Sequence, residues 1–500
     1  MVSDSTRPKD PPRTALAALA AWLGVDLADG PAVEVTGISL SSQRIRPGDL
    51  YAALPGARAH GIDFAATAVE AGAVAILTDP AGAGRAPAGV PLLVVEHPRS
   101  VLGRLAARVY GDPATSMRMI GVTGTQGKTT TTRLAEAGLE RAGVRAAVIG
   151  TVGTRVGGED VKTTLTTPEA PDLHGLFAMM RERDVEACAM EVSSHALVMG
   201  RVDGVVFDVA VFLNLGRDHL DFHADVEEYY QAKASLFTPE RARLALVNID
   251  DEHGRRLAAE ATIPVLTFGV ESRDADWSAA DVRLDRDGSS FVARGPAGQA
   301  IRAGCPLPGA FNVYNTLAAI AACVEAGLGE GVAEGIAAAG GVPGRMERVD
   351  AGQDFTVVID YAHKPDAVEA AMVALRRLTG GPLIVVLGAG GDRDPGKRPI
   401  MAEIAARLGD LLIVTDDNPR TEDPAAIRAA MLAGVATGDE VLEIGDRGEA
   451  IREAIRRAVP EGIVLVAGKG HETGQEIDGV VHPFNDRDVV LAALAERANP

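Results

Sequence analysis

The chain has 500 residues, 47% of them apolar, with a formal net charge of −20. That is length for about three domains, and far too much apolar side chain for a disordered polymer. Such acidity excludes reliance on a phosphate backbone for binding, so no nucleic-acid partner is expected.

Residues 1–13, "MVSDSTRPKDPPR", carry charge and proline with no apolar centre, and are expected to form a disordered tail rather than a leader. Residues 14–113 alternate short strands ("AVEVTGISL", "AVAILTD", "PLLVVE") with Ala-rich helical stretches, as in a small α/β domain. "YGDPATSM" reads as a linker from its Gly, Pro and Ser content. Residues 114–344 continue with "MRMIGVT", "AAVIGT", "EACAME", "DVAVFLNL" and "RLALVNI", and close on a second linker, "GGVPGR". Residues 345–500 repeat the alternation with "FTVVID", "PLIVVLGAG", "DLLIVTDD", "EVLEIGD" and "GIVLVAGKG". Continuous apolar strands separated by helices imply parallel sheets covered on both faces, so the fold class is α/β in three domains. Nearly every polar cluster follows an apolar run, which places it outside the carboxyl ends of the strands, where open α/β sheets bind ligands. Cys188, Cys305 and Cys323 form no CxxC pair and are expected as reduced core residues of a cytoplasmic protein. No apolar run approaches the roughly 18 residues of a membrane span, so no membrane partner is expected.

"GVTGTQGKTTTT" over 121–132 follows a strand and opens a helix. Glycines let successive N–H groups point at an anion, and the helix start adds partial positive charge. Gly124, Thr125, Gln126, Gly127, Lys128, Thr129 and Thr130 are the expected nucleotide cradle, with Lys128 on the terminal phosphates and Thr129 or Thr130 on Mg²⁺. Val122 stands where the strict Walker pattern has its first glycine, so this is a GTxGKTT variant. The bland alternative is a Gly-rich turn with a surface lysine.

"MEVSSHAL" places Glu191 at a strand end, as a magnesium ligand or a solvated acid. "NLGRDHLDFH" offers Asn214, Asp218, His219, Asp221 and His223, oxygen and imidazole donors suited to a metal or a phosphate. In "DVEEYYQAKASLF", Val226, Tyr230, Lys233 and Phe237 share one helical face. Lys233 is then either a snorkelling lysine or a buried neutral amine able to react with CO₂ to give a carbamate. "TDDNPR" ends a strand with Asp417, Asn418, Pro419 and Arg420. It reads either as a strand stop with helix-capping acids, or as a clamp for a ligand that bears both an amine and a carboxylate.

"GTQGKTT", "TTP", "EVSSHAL", "NLGRDHLDFH", "QAKASLF", "GAFNVYN", Gly344–Arg345, "DYAH", "GGDRDPGKRP", "DNPR" and "GKGHE" occur in one order over nearly the whole chain after the tail. This series resembles the Mur ligases, and among them those that add meso-diaminopimelate to UDP-MurNAc-L-Ala-D-Glu. The resemblance implies a UDP-muramyl domain over 14–113, a central P-loop ATP domain over 114–344, and a Rossmann-like amino-acid domain over 345–500. It implies that Lys233 is carbamylated to N6-carboxylysine, with Thr129, Glu191 and His219 as the other magnesium ligands. Asn315, Arg345 and Asp360 are implied as nucleotide contacts, with His363 beside Asp360 in "DYAH". Ser42, Thr166, Thr167, Ser193 and Arg201 are implied for the UDP-MurNAc-dipeptide, and Arg393, Asp417, Asn418, Pro419, Arg420, Gly468 and Glu472 for diaminopimelate. Ser41-Ser42-Gln43 replaces the usual uridine "DSR", and Leu165 and Met199 replace an asparagine and a glutamine of the family pattern.

The implied chemistry is transfer of the ATP γ-phosphoryl to a carboxylate, then attack of an amine on the acyl phosphate. Positioning and charge neutralisation dominate such a step. Lys128, Arg345 and Mg²⁺ are expected around the phosphates, with Lys233, Glu191 and His219 behind the metal. The base that takes the amine proton is not legible in the sequence, and the His363 region is offered for it. A monomer that closes around its substrates is expected. The rivals are a ligase of the same superfamily with another acceptor, such as lysine or a folylpolyglutamate synthase-like substrate, and a P-loop switch without ligase activity.

Overall fold

The computed structural model describes residues 6–27, 32–163, 165–219 and 222–498. Asp221 lies outside the described residues. The chain divides into two compact units, one of residues 1–280, 293–301 and 314–336, the other of residues 281–292, 302–313 and 337–500.

The first unit begins with a four-stranded parallel sheet of Gly37–Ser39, Asp49–Ala52, Ala75–Thr78 and Leu92–Val94 in that order. The Asp49–Ala52 strand carries the short "DLYA", too brief to stand out from its sequence, yet fully buried. Helix Pro98–Val109 packs its Leu102, Leu105, Ala106 and Val109 face into the core beneath. Residues 6–13 are not a loose tail. Arg7 and Asp49 form a buried ion pair at 2.5 Å, and the backbone N–H groups of Lys9 and Asp10 donate to the two oxygens of Glu182. A buried carboxylate demands a cation, and the tail supplies it. Expected as a linker, "YGDPATSM" contains a short 3₁₀ turn, Pro113–Ser116, with Pro113 and Ala114 buried.

The same unit holds the larger sheet, in which Ala146–Gly150, Ala187–Glu191, Arg118–Thr123, Val209–Phe212, Ala245–Asn248 and Val265–Gly269 run parallel in that spatial order. Apolar side chains alternate to both faces of these strands and, outside Val265–Gly269, are almost wholly buried, which is why the sequence reads there as unbroken apolar runs. Register sets the site. Glu191 lies opposite Val122 and Phe212 opposite Thr123, so three strands end together at the phosphate loop. Strands Trp277–Asp285, Gly288–Arg294 and Ala300–Cys305 follow at the sheet edge, and the chain passes between the two units along them. The division therefore does not fall at a single boundary near residue 344.

The second unit is built on a six-stranded sheet of Glu347–Val349, Thr356–Asp360, Ile463–Ala467, Leu383–Ala389, Leu411–Asp416 and Val441–Glu443, antiparallel only at its first pair. Helices cover both faces. Asp360 pairs with Ala467, Leu387 also pairs with Ala467, and Ala389 pairs with Asp416. "DYAH", "GKGHE", "GGDRD" and "DNPR" thus issue from one edge of the sheet. Among the described residues no helix is long and apolar enough to cross a membrane.

Candidate active site

In the first unit the loop after Thr123 turns through Gly124 and Gly127, at φ 155° and 87°. A side chain at 127 would put its Cβ 2.3 Å from Asn315 Oδ1, so glycine is required by space as well as by backbone. The Lys128–Arg141 helix starts immediately after it. Lys128 Nζ donates to Gly124 O at 2.7 Å and Thr125 O at 3.1 Å. Asn214 Oδ1 accepts from the backbone N–H groups of Thr125 and Gln126 at 3.1 and 2.9 Å, and so braces the loop. Thr131 Oγ1 donates to Asn315 Oδ1 at 3.5 Å.

Glu191 is 1% exposed at the end of its strand. It accepts from Thr129 Oγ1 at 2.8 Å, from Thr151 N at 2.8 Å and from Thr151 Oγ1 at 3.1 Å. Thr129 and Glu191, far apart in sequence, therefore meet beside the helix start. They are hard oxygen donors of the kind Mg²⁺ takes. Thr151 was invisible to sequence reasoning; its only signal was its place at the end of a strand. Thr166 Oγ1 lies 3.1 Å from Thr151 Oγ1. Thr167 Oγ1 donates to Glu191 O at 2.8 Å, and Ser193 Oγ accepts from Ala196 N as a helix cap. Arg201 Nε pairs with Glu169 at 2.7 Å, which keeps this guanidinium near Thr167. Ser42 starts the 3₁₀ turn Ser42–Arg44 in the small sheet domain.

His219 takes φ 53°, and its Nε2 lies 3.3 Å from Asp218. Its ring is 4.8 Å from that of His195, which stacks on Phe222 at 4.0 Å. His223 is buried, with Nε2 3.0 Å from Ser194 Oγ. No group of three or more His, Cys, Asp or Glu side chains poised for a metal occurs among the described residues. Lys233 is 1% exposed; its Nζ donates to Gly124 O at 2.9 Å and stands 4.6 Å from the centre of the Tyr229 ring. The face it shares differs from the expected one. Val226 is 38% exposed, and Tyr229, Tyr230, Leu236 and Phe237 make up the buried surface. The helix ends at Ala234, so its periodicity does not carry through to Phe237.

In the second unit Arg345 lies over the Tyr361 ring at 4.5 Å. Asp360 accepts from the N–H groups of Met346 and Ala362 at 2.7 and 2.8 Å; burial raises its pKa, with Arg345 opposing. Burial, with Lys364, Lys397 and Arg345 nearby, pushes His363 down to about 4. Its Nδ1 donates to Tyr361 O, leaving Nε2 as a feeble base. That argues against His363 as the group that takes the amine proton.

Arg420 also holds a left-handed backbone, φ 55°, pinned where its N–H donates to Glu476 O and its carbonyl accepts from Asp478 N. A non-glycine residue held there stores strain of order 1 kcal/mol and marks a constrained position. Its Nη1 donates to Gly391 O at 2.6 Å and its Nε faces Glu476 at 3.2 Å. Pro419 O stands against Gly391, where a Cβ would meet it at 1.9 Å. Arg393 is exposed. Gly468 lies against Asp417, whose Oδ2 a Cβ there would approach to 2.7 Å.

Sequence reasoning missed the centre of this cluster. Lys469 is 0% exposed, with Nζ 2.9 Å from Asn418 Oδ1, 2.9 Å from Glu472 Oε2 and 3.9 Å from Asp417 Oδ1. Its signal was present as the lysine of "GKGHE". Asn418 Oδ1 also accepts from Glu476 N at 2.9 Å, and its Nδ2 donates to Glu472 at 2.8 Å. Both lone pairs of that carbonyl are therefore in use, so Asn418 is a brace, and the carboxylates of Asp417 and Glu472 are the groups fit to receive an ammonium.

Three family models match the chain: Mur ligase family, catalytic domain, over residues 34–110; Mur ligase middle domain over 122–323; and Mur ligase, glutamate ligase domain, over 344–470. The chain is 56% identical over 489 residues, 96% of each chain, to the UDP-N-acetylmuramoyl-L-alanyl-D-glutamate--2,6-diaminopimelate ligase of Streptomyces coelicolor. It is 43% identical over 501 residues, 98% of each chain, to the UDP-N-acetylmuramyl-tripeptide synthetase of Leifsonia xyli subsp. xyli. A solved UDP-N-acetylmuramoyl-L-alanyl-D-glutamate--2,6-diaminopimelate ligase superposes with a TM-score of 0.70 at 32% identity, covering 98% of this chain and 100% of that one.

Proposed function

The chain belongs to the Mur ligase family, and from that premise we propose that it is the ATP-dependent ligase joining meso-diaminopimelate to UDP-MurNAc-L-Ala-D-Glu in peptidoglycan precursor synthesis. One observation carries the reading at the level of residues. The first unit holds a phosphate cradle, and one sheet edge of the second carries both a guanidinium, Arg420 against Gly391 O and Glu476, and a carboxylate cluster, Asp417 and Glu472 around Lys469. A P-loop switch has no use for such an amino-acid clamp.

Lys128, Arg345 and the N–H groups of 124–130 neutralise and orient the triphosphate, with Asn315 and Asp360 as further nucleotide contacts. Thr129, Glu191, His219 and carbamylated Lys233 hold Mg²⁺, which supplies charge neutralisation when bound. Lys233 suits the modification: carbamylation leaves one N–H for the Gly124 carbonyl 2.9 Å away and adds an anionic oxygen pair. Thr166, Thr167, Ser193 and Arg201 hold the muramyl-peptide, and Ser42 its uridine end. The glutamyl carboxylate takes the γ-phosphoryl group of ATP, the acceptor amine adds to the acyl carbon, and phosphate leaves. Arg420 binds the distal carboxylate of diaminopimelate after exchanging its contact with Glu476, and Asp417 and Glu472 bind the distal ammonium. Arg393, Pro419 and Gly468 complete that wall. The enzyme works in the cytoplasm as a monomer.

Phosphate release is the test, measured with ATP, UDP-MurNAc-L-Ala-D-Glu and either meso-diaminopimelate or L-lysine, with bicarbonate varied. Release is expected only with the dipeptide and diaminopimelate, to fall when CO₂ is stripped, and to return with bicarbonate. Equal turnover of lysine, the acceptor of the nearest rival reading, would overturn the acceptor assignment. Indifference to bicarbonate would overturn the carbamate.

A further inference from the structure

The least expected feature of the second unit is a lysine without solvent contact at the floor of the acceptor cluster. Lys469 sits between Asn418 and Glu472, at 2.9 Å from each, with Asp417 at 3.9 Å. A buried ammonium is costly unless carboxylates accept from it, and a buried carboxylate such as Asp417 is costly without a cation; Glu472 is half-buried. We infer that Lys469 is a positioning residue for the acceptor: its ammonium fixes Asn418 and Glu472 in one arrangement and keeps Asp417 ionised to receive the acceptor's own ammonium. This rests on the function proposed above.

The surroundings support the inference. Asp417 faces Arg447, Lys469, Glu472 and Asp486, and Lys397 is also within its electrostatic reach. Arg447 is already committed to Asp486 through two bonds of 2.7 and 2.8 Å in a fully buried pair. Lys469 is the cation that touches Glu472, at 2.9 Å, and also stands 3.9 Å from Asp417; Lys397 acts on Asp417, Tyr361 faces both carboxylates, and His471 faces Glu472. Burial raises Asp417 even with Lys469 and Arg447 present. Burial works the same way on Glu472, yet Lys469 and the bond from Asn418 bring it below the usual range. Take the ammonium away and the two carboxylates repel each other with less compensating charge, so the pair takes up a proton more readily. A protonated pair is a poor ligand for an ammonium ion.

Lys469→Met in the full-length enzyme is the test, with KM for diaminopimelate and for ATP measured from about pH 7 to about pH 9. At the lower pH the diaminopimelate KM is expected to rise about tenfold or more, the scale of one lost charge-assisted contact, with the ATP KM within about twofold of wild type. Relative to wild type, the defect should shrink several-fold towards the higher pH as the carboxylates ionise again. A defect independent of pH, or a parallel rise of both KM values, would show a merely structural lysine and overturn the inference. If Lys469→Met does not fold by its thermal transition, Lys469→Gln answers the same question with the same outcomes. Wild-type enzyme with no diaminopimelate-dependent turnover would overturn the functional reading instead.

Discussion

Arg420 shows what one residue is asked to do. Its backbone is held in the left-handed region, and its side chain rests on Gly391 O and Glu476. Lysine as an acceptor lacks the distal carboxylate that would replace Glu476 as partner. Arg420→Ala is expected to cut kcat/KM for diaminopimelate by about 10- to 100-fold, from the 1.5–3 kcal/mol of a charge-assisted bond, while leaving lysine turnover nearly unchanged. Steady-state kinetics with both amino acids check it, and an unchanged ratio would count against the clamp. "TDDNPR" made this residue legible, because a polar cluster at a strand end has few structural uses. Lys469 was not legible as a buried centre. A lysine between two glycines reads as solvent-facing until the fold closes Asn418 and Glu472 around it.

At the level of elements, the N-terminal segment and the Lys233 helix both depart from simple sequence rules. A Pro-rich, charged opening looks unable to order itself, and on its own it could not. Order comes from Asp49, buried on its strand and needing Arg7, and from Glu182 at the end of helix Ala170–Glu182. Arg7→Ala should destabilise the enzyme by about 3 kcal/mol, since it strands a buried carboxylate. Urea unfolding of the two proteins measures this. A change within error would mean that the segment only lies on the surface. The central strand runs of the two larger sheets, by contrast, were legible, though not the outer strands Val265–Gly269 and Glu347–Val349, because burial on both faces leaves no polar position to interrupt the central ones. The short Asp49–Ala52 strand and the edge strands from Trp277 to Cys305 were not, since brevity and one solvent-facing side dilute the signal.

For the molecule as a whole, buried histidines couple stability to pH. His174 is fully buried, with Nε2 donating to Asp203 O, and burial lowers its pKa to about 4. His363 is lowered to about 4 for the same first reason. Unfolded, each returns to about 6.5. The unfolded chain then binds protons that the folded chain refuses, so this contribution is complete above about pH 6.5 and declines as pH falls towards 4. Denaturation midpoints at pH 7.5 and 5 should therefore fall with acidity, and His174→Phe should flatten part of that slope. A slope identical in wild type and variant would remove His174 as a cause.

By itself the sequence determined the three-part α/β layout, the phosphate loop, and the two polar edges that follow apolar strands. These are local properties: strand burial writes continuous apolar runs, and tight anion-binding turns write glycines. Only the tertiary structure decided that Thr129 and Thr151 share Glu191, that Asn418 is a brace with both lone pairs filled, that Arg7 belongs to the core, and that Lys469 lies dry among carboxylates. Those facts depend on which strand ends become neighbours. Register and strand order are set by the packing of the whole sheet, and no single segment contains them.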